Sequence, residues 1–141
     1  MSGFLLDTSV ISELVRPAPA ANVTSWIAAT DENLLHLSVL TVGEIHKGAS
    51  LVRDAVQRIA LETWLDGHLS LRFAGRILGI DRAIADRWAR LAAKAALQGA
   101  PLAVIDGLLA ATALHHDFTL VTRNAKDVAA TGVPLFNPWI V

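Results

Sequence analysis

The chain has 141 residues, no cysteine, 53% hydrophobic and 18% charged side chains, and a formal net charge of −1. That length suits one compact domain over residues 1–141, and the missing thiols exclude disulfides, thiolate zinc sites and cysteine nucleophiles, leaving oxygen or imidazole to hold any metal. No run reaches the roughly 18 apolar residues of a membrane span and no cleavable apolar leader is visible, so a cytoplasmic protein is expected, and its near-neutral charge leaves any grip on nucleic acid to local basic patches.

Residues 3 to 6 read as a short buried strand, and Val10, Ile11 and Leu14 stand at helical spacing between Thr8 and Val15, before "RPAPAAN" breaks the pattern. Val23, Trp26 and Ile27 mark a second helix over 22–30, followed by "DEN" and a strand-like "LLHLSV". "TVGEIHKGASLV" and "RDAVQRIALETWLDG" read as a helical hairpin, with Val56, Ile59, Ala60 and Trp64 as the inner stripe of its second arm and Gly67 as its C-cap. Residues 69–80 are mixed, although Leu71, Phe73, Ile77, Leu78 and Ile80 suggest burial. From Asp81, the series Ile84, Trp88, Leu91, Ala92 and Ala95 predicts an amphipathic helix ending near Gly99 and Pro101, with arginines on its other face. "AVIDGLLAATALHHD" predicts a helix entered through Asp106, "FTLVT" a strand, and "GVPLFNPWIV" a last short strand with a tail. Alternating strands and helices imply an α/β fold whose central parallel sheet is covered on both faces, because each crossover needs a helix-length connection. Ligands of such sheets bind at the carboxyl ends of strands.

Oxygen ligands fall repeatedly beside apolar elements: Asp7 after the first strand, Glu44 in "TVGEI", Asp106 in "VIDGLL", and Asn124 and Asp127 in "TRNAKD". Magnesium takes six oxygens and usually keeps several waters, so two or three carboxylates with a substrate phosphate make a suitable site. Carboxylates packed together repel, and a cation relieves the repulsion. Each residue also has a structural reading. Asp7 caps the following helix; Thr41 and Glu44 match a T-x-x-E capping box; Asp106 caps a helix over 107–116; Asn124 and Asp127 serve a turn or cap. Thr8 and Ser9 start a helix, or their hydroxyls orient Asp7 or a bound water. His36, His46, His68, His115 and His116 show no zinc-like spacing, and the last two suit a helix C-terminus.

Taken in order, "LLDTSVISEL", "LSVLTVGEIHKGA", "IDGLLAATALHHDFTLVTRNAKD" and "FNPW" resemble the PIN-domain ribonucleases, specifically VapC-type toxins, over essentially the whole chain. "FAGRILGID" and the "FNPW" ending are similar to the FitB-like subgroup. The resemblance implies a three-layer α/β/α fold with a protruding helical hairpin. It also implies that Asp7, Glu44 and Asp106 are the acidic metal-binding residues, with Asn124 standing where several members carry aspartate. Asparagine offers a carbonyl oxygen but no charge, so one Mg2+ ion is expected, with Mn2+ as a substitute and Asp127 as possible compensation.

By the same resemblance the chain is a toxin of a type II toxin–antitoxin system that hydrolyses phosphodiester bonds in RNA, often structured RNA such as tRNA. Asp7 and Asp106 would hold the ion, and Glu44 would bind it through water or orient the attacking water. The partners implied are a VapB-type antitoxin covering the acidic pocket, a second copy forming a homodimer, and a larger hetero-oligomer of both; the apolar surplus is compatible with such interfaces. Candidates for gripping RNA are Lys47, Arg53, Arg72, Arg76, Arg82, Arg87, Arg90, Arg123 and Lys126, with Arg123 beside the proposed site. A haloacid-dehalogenase-like phosphatase needs a second aspartate where Ser9 stands, and a receiver domain needs acidic residues that "LLHLSV" lacks. The remaining alternative is a PIN module with a weakened site acting as a protein-binding or regulatory partner, for which Asn124 is the signal.

Overall fold

A computed structural model describes residues 3–140. Five strands form one all-parallel sheet in the order β3-β2-β1-β4-β5: β1 (Phe4–Leu6), β2 (Leu35–Ser38), β3 (Ile77–Leu78), β4 (Thr119–Val121) and β5 (Leu135–Phe136). The central strands are short and apolar because parallel strands between two helical layers bury both faces. Successive side chains then serve opposite sides. Leu6 and Val121 join Val10, Ile11, Val23, Leu65, Leu69 and Phe73 in one core, while Leu5 and Leu120 join Leu109, Ala110, Ala113 and Val128 in the other. The predicted α/β/α architecture is therefore the observed one.

The first layer contains α1 (Thr8–Leu14), α2 (Ala21–Ala29) and α3 (Val39–Ser50). It continues with α4 (Ala55–Thr63), which runs through a π-helical turn at Trp64–Leu69 into α5 (Ser70–Arg72). The second layer contains α6 (Arg82–Leu97), α7 (Val104–His116) and the single-turn α8 (Ala125–Val128). No helix among the described residues is long and apolar enough to cross a membrane.

The largest departure from the sequence expectations lies in α4. Its presumed inner stripe faces outward, with Val56 76% and Ile59 60% exposed, Ala60 exposed and Trp64 only partly covered. Leu65, Leu69 and Phe73 make the core contact instead. A π turn adds a residue to one helical turn and so rotates the following side chains out of the phase of the preceding ones. Gly67 lies inside that turn and caps nothing; the left-handed residue that ends the segment is Gly75, at φ +78°. Leu71 is 77% exposed, whereas Phe73 is fully buried and Ile77, Leu78 and Ile80 are half-buried.

Arg72 and Arg76, read as candidates for RNA, hold this segment in place. Arg72 forms a two-pronged pair with the Glu32 carboxylate at 3.1 and 3.0 Å. Arg76 donates to the Glu32 carbonyl (2.5 Å), the Leu35 carbonyl (2.6 Å), the Arg72 carbonyl and the Glu32 carboxylate (3.2 Å). The guanidinium thus ties the end of α5 to the start of β2. Just before β4, at the same amino edge of the sheet, His116 packs on Phe118, and burial lowers its imidazole below the ordinary value, further depressed by His115 and His36.

Candidate active site

From β1 the chain builds the sheet outward through β2 to β3, then returns to place β4 on the other side of β1. The reversal leaves a crevice beyond the carboxyl ends of β1 and β4, where open parallel sheets bind ligands. Asp7 is the first residue past β1 and Thr122 the first past β4; the pairing of Leu6 with Val121 sets them side by side. Asp7 also continues the ladder by donating its backbone N–H to the Val121 carbonyl at 2.9 Å.

Hydrogen bonds orient the Asp7 carboxylate completely. Its Oδ1 accepts from the Thr8 backbone N–H at 2.7 Å, which is the capping role read from the sequence. Its Oδ2 accepts from the Ser9 hydroxyl at 2.9 Å and the Thr122 hydroxyl at 2.7 Å. Ser9 Oγ in turn accepts from the Arg123 N–H (3.3 Å) and Thr122 Oγ1 from the Asn124 N–H (3.0 Å), so the turn after β4 is latched to α1. Thr8 Oγ1 donates to Glu44 Oε1 at 2.5 Å and lies 3.3 Å from the hydroxyl of the buried Thr41.

For Glu44 and Asp106 the structural readings fail, whereas Asn124 and Asp127 do lie in a turn, closed by the Asp127 N–H on the Asn124 carbonyl at 3.0 Å. The N-cap of α3 is Ser38, whose hydroxyl accepts from the Leu40 N–H at 3.0 Å, so Thr41 and Glu44 lie inside the helix and form no capping box. Helix α7 starts at Val104 with Ala103 as its cap, which leaves Asp106 in the first turn instead of at the boundary. Asn124 is the N-cap residue of α8 without a side-chain cap bond, and Asp127 lies within that helix. None of these three carboxylates caps a helix.

Burial pushes the Asp106 carboxyl up from its ordinary value, and the negative charges of Asp7, Asp127 and Glu44 push it further. Among the described residues, none of the four carboxylates makes an ion pair with a lysine, arginine or histidine. The sheet has therefore gathered negative charge that no salt bridge among the described residues neutralises. Among the described residues no three acidic or imidazole groups are close enough to ligate one ion as they stand. Asp106 and Asp127 also share a cleft of about 420 Å³ with Lys94 and Lys126, which Asn124 does not line.

Residues 4–132 match the PIN domain family. The chain belongs to that family. This PIN domain is 37% identical over 135 residues to "Toxin FitB" of Neisseria gonorrhoeae, covering 96% of this chain and 97% of the relative. It is 36% identical over 135 residues to "VapC ribonuclease Y4jK" of Sinorhizobium fredii, covering 96% of each. The crystal structure of FitAcB from Neisseria gonorrhoeae superposes with a TM-score of 0.93 at 36% identity, covering 98% of this chain and 99% of that one. Both the family and the FitB-like subgroup read from the sequence are thus found.

Several residues of this candidate site in the PIN domain escaped the sequence reading. Thr122 holds Asp7 from 115 positions away. Its one available signal is its place directly after a strand, in the same rank as Asp7. The closing "FNPW" has a structural use: Trp139 donates its indole N–H to Glu13 at 3.1 Å, and Asn137 caps the tail and reaches the Arg123 carbonyl. Glu13 is buried, and its carboxyl is held below the ordinary range chiefly by the Ala20 backbone N–H, with Trp139 and Arg16 adding to this against burial. The Arg123 guanidinium lies over the Trp139 ring at 5.5 Å, so the tail holds the side chain named as a possible phosphate contact.

Proposed function

We propose that this PIN domain is the toxin of a toxin–antitoxin pair and acts in the cytoplasm as a divalent-metal-dependent endoribonuclease. The observation that carries this reading is the set of four carboxylates, Asp7, Glu44, Asp106 and Asp127, which share one field without a basic partner. Hard oxygen donors and surplus negative charge suit magnesium, or manganese in its place. Asp7 and Asp106 are the direct ligands in this reading, Glu44 acts through water, and Asp127, rather than the uncharged Asn124, supplies the fourth acidic group. Three-carboxylate ligation requires the side chains to draw together. The bound ion would lower the pKa of a water and stabilise charge developing on the phosphate.

The chain's own residues do the positioning. Ser9, Thr122 and the Thr8 N–H fix both oxygens of Asp7, so its orientation is set before substrate arrives. Thr8 occupies Glu44 Oε1 and leaves Oε2 to accept a proton from the attacking water. That water's oxygen bonds to phosphorus, one P–O ester bond breaks, and a proton reaches the leaving oxygen.

The partners proposed are an RNA, with tRNA as the first class to try, a VapB-type antitoxin covering the acidic crevice, a second copy of the chain, and a larger assembly of toxin and antitoxin. Structures named as FitA–FitB and VapB–VapC complexes among the similar proteins support the antitoxin.

The test is cleavage of total small RNA by antitoxin-free protein with magnesium, manganese or chelator. Discrete cuts that vanish with chelator are expected; a folded protein that cuts nothing in either metal overturns the nuclease reading. One observation favours the alternative of a weakened binding module: the carboxylates are not drawn together as they stand. That reading predicts antitoxin binding without cleavage.

Thr122→Val tests the positioning role. Removing one hydroxyl from Asp7 is expected to lower metal affinity or cleavage about 10- to 100-fold, the usual loss for a group that orients a ligand, with the fold retained. Unchanged metal titration and cleavage would show that Asp7 needs no such support.

A further inference from the structure

We infer that the cleft between α6 and α8 is a nucleotide subsite, taking the base and phosphate that neighbour the scissile bond of a single-stranded RNA segment. The inference rests on the nuclease reading and names where its substrate lies. At about 420 Å³ the cleft falls within the range of roughly 300–1,000 Å³ typical of small-ligand pockets, and it opens onto Asp106 and Asp127. Its composition is divided. Leu102 and Pro101 contribute apolar surface, while Lys94 of α6, Gln98 at the C-cap of that helix and Lys126 of α8 contribute polar groups.

The two lysines carry the argument. Both are exposed, and among the described residues neither makes an ion pair, although Asp106 and Asp127 line the same cleft. Arg72, Arg76 and Arg123 are committed to Glu32, backbone carbonyls and Trp139, and Arg82 pairs with Asp86 at 3.8 Å. Of the basic residues without an ion pair among the described residues, Lys94 and Lys126 are the ones that line the cleft of Asp106 and Asp127. A chain whose net charge is −1 needs such a local patch to hold a polyanion. An apolar wall accepts the face of any base, and Gln98 and Thr131 add groups that can donate to or accept from a base edge or a 2′-hydroxyl. A double helix would present its phosphates but no free base face to this slot, so a single-stranded segment is the fitting occupant.

The experiment uses full-length protein and a fluorescein-labelled decaribonucleotide. Binding is measured by anisotropy against salt in chelator, and cleavage of the same oligonucleotide is measured in magnesium. Lys94→Ala combined with Lys126→Ala is expected to weaken binding at least tenfold and to reduce the magnitude of the salt slope by about 1.4, the value for two single-strand phosphates. In cleavage it raises KM by a similar factor with kcat within twofold. Arg16→Ala combined with Arg58→Ala, which removes two charges outside the cleft, serves as the control for general attraction. Equal losses in the control, or unchanged KM and salt slope in the lysine double variant of a protein that cleaves, overturn the subsite and leave the nuclease reading intact. Lysine-dependent binding by a protein that never cleaves supports the subsite while the nuclease reading fails.

Discussion

Replacing Asp106 by asparagine is expected to lower RNA cleavage by about 10³-fold or more and, in the same variant, to make the metal-free protein more stable at neutral pH. The first effect follows from removing a proposed direct ligand, because metal-ion stabilisation of a phosphoryl transition state is worth several kcal/mol and each ~1.4 kcal/mol is tenfold in rate. The second follows from electrostatics. Burial raises the Asp106 carboxyl above its ordinary 3.8, as do the neighbouring charges of Asp7, Asp127 and Glu44. A carboxyl that binds its proton more tightly in the folded state than in the unfolded one costs no stability below the unfolded pKa. The cost accumulates as pH rises through the folded value and is full above it. Asparagine removes it, so the gain is present at pH 7 and absent near pH 3. Asp106 is partly exposed, so water screens the gain, and only its sign and pH window are argued.

Denaturant midpoints in chelator at both pH values, beside cleavage in magnesium, check both effects. An ion that binds only the folded protein raises its stability, and Asp106→Asn should lose most of that increase. A variant destabilised at neutral pH would show that Asp106 is a structural carboxylate and that the acidic cluster is not held open for a cation.

Arg76→Ala is expected to cost about 2–4 kcal/mol of stability while leaving the KM for RNA unchanged. The side chain donates to the carbonyls of Glu32, Leu35 and Arg72, and each buried acceptor left unpaired costs about 1–3 kcal/mol, partly recovered by water at the sheet edge. Lysine does not restore the loss, since one ammonium lacks the planar fork that reaches several acceptors at once. The same cluster sets an acid limit. Arg72, through its hydrogen bonds, and then Arg76 hold the Glu32 carboxyl below its ordinary 4.5 against burial. Its contribution is therefore full above pH ~4.5 and is lost as pH falls through the lower folded value. A melting temperature lower by roughly 10 °C with unaltered KM fits this role; a raised KM at unchanged stability would return Arg76 to RNA binding.

The capping roles show how local reasoning went astray at the site. T-x-x-E at Thr41–Glu44 has the spacing of a capping box, and Asp106 stands before an apolar helical run. In the fold both helices begin three residues earlier, capped by Ser38 and by Ala103 without a side-chain bond, so the acidic residues are carried one turn into the crevice. The spacing was local, but the boundary depended on where the preceding strand or loop releases the chain.

Sequence alone determined the strand–helix alternation and the family, and put forward Asp7, Glu44 and Asp106 as the acidic site, because these depend on short-range periodicity and on residue type. Tertiary structure decided the rest. The outward face of α4 follows from a π turn that no hydrophobic pattern announces, and the hold of Thr122 on Asp7 follows from the parallel register of β1 with β4. The lysine cleft follows from α8 returning beside α6. A polar group's partner is chosen by what the sheet and its crossovers bring within about 3 Å, and that choice is made between residues far apart in the chain.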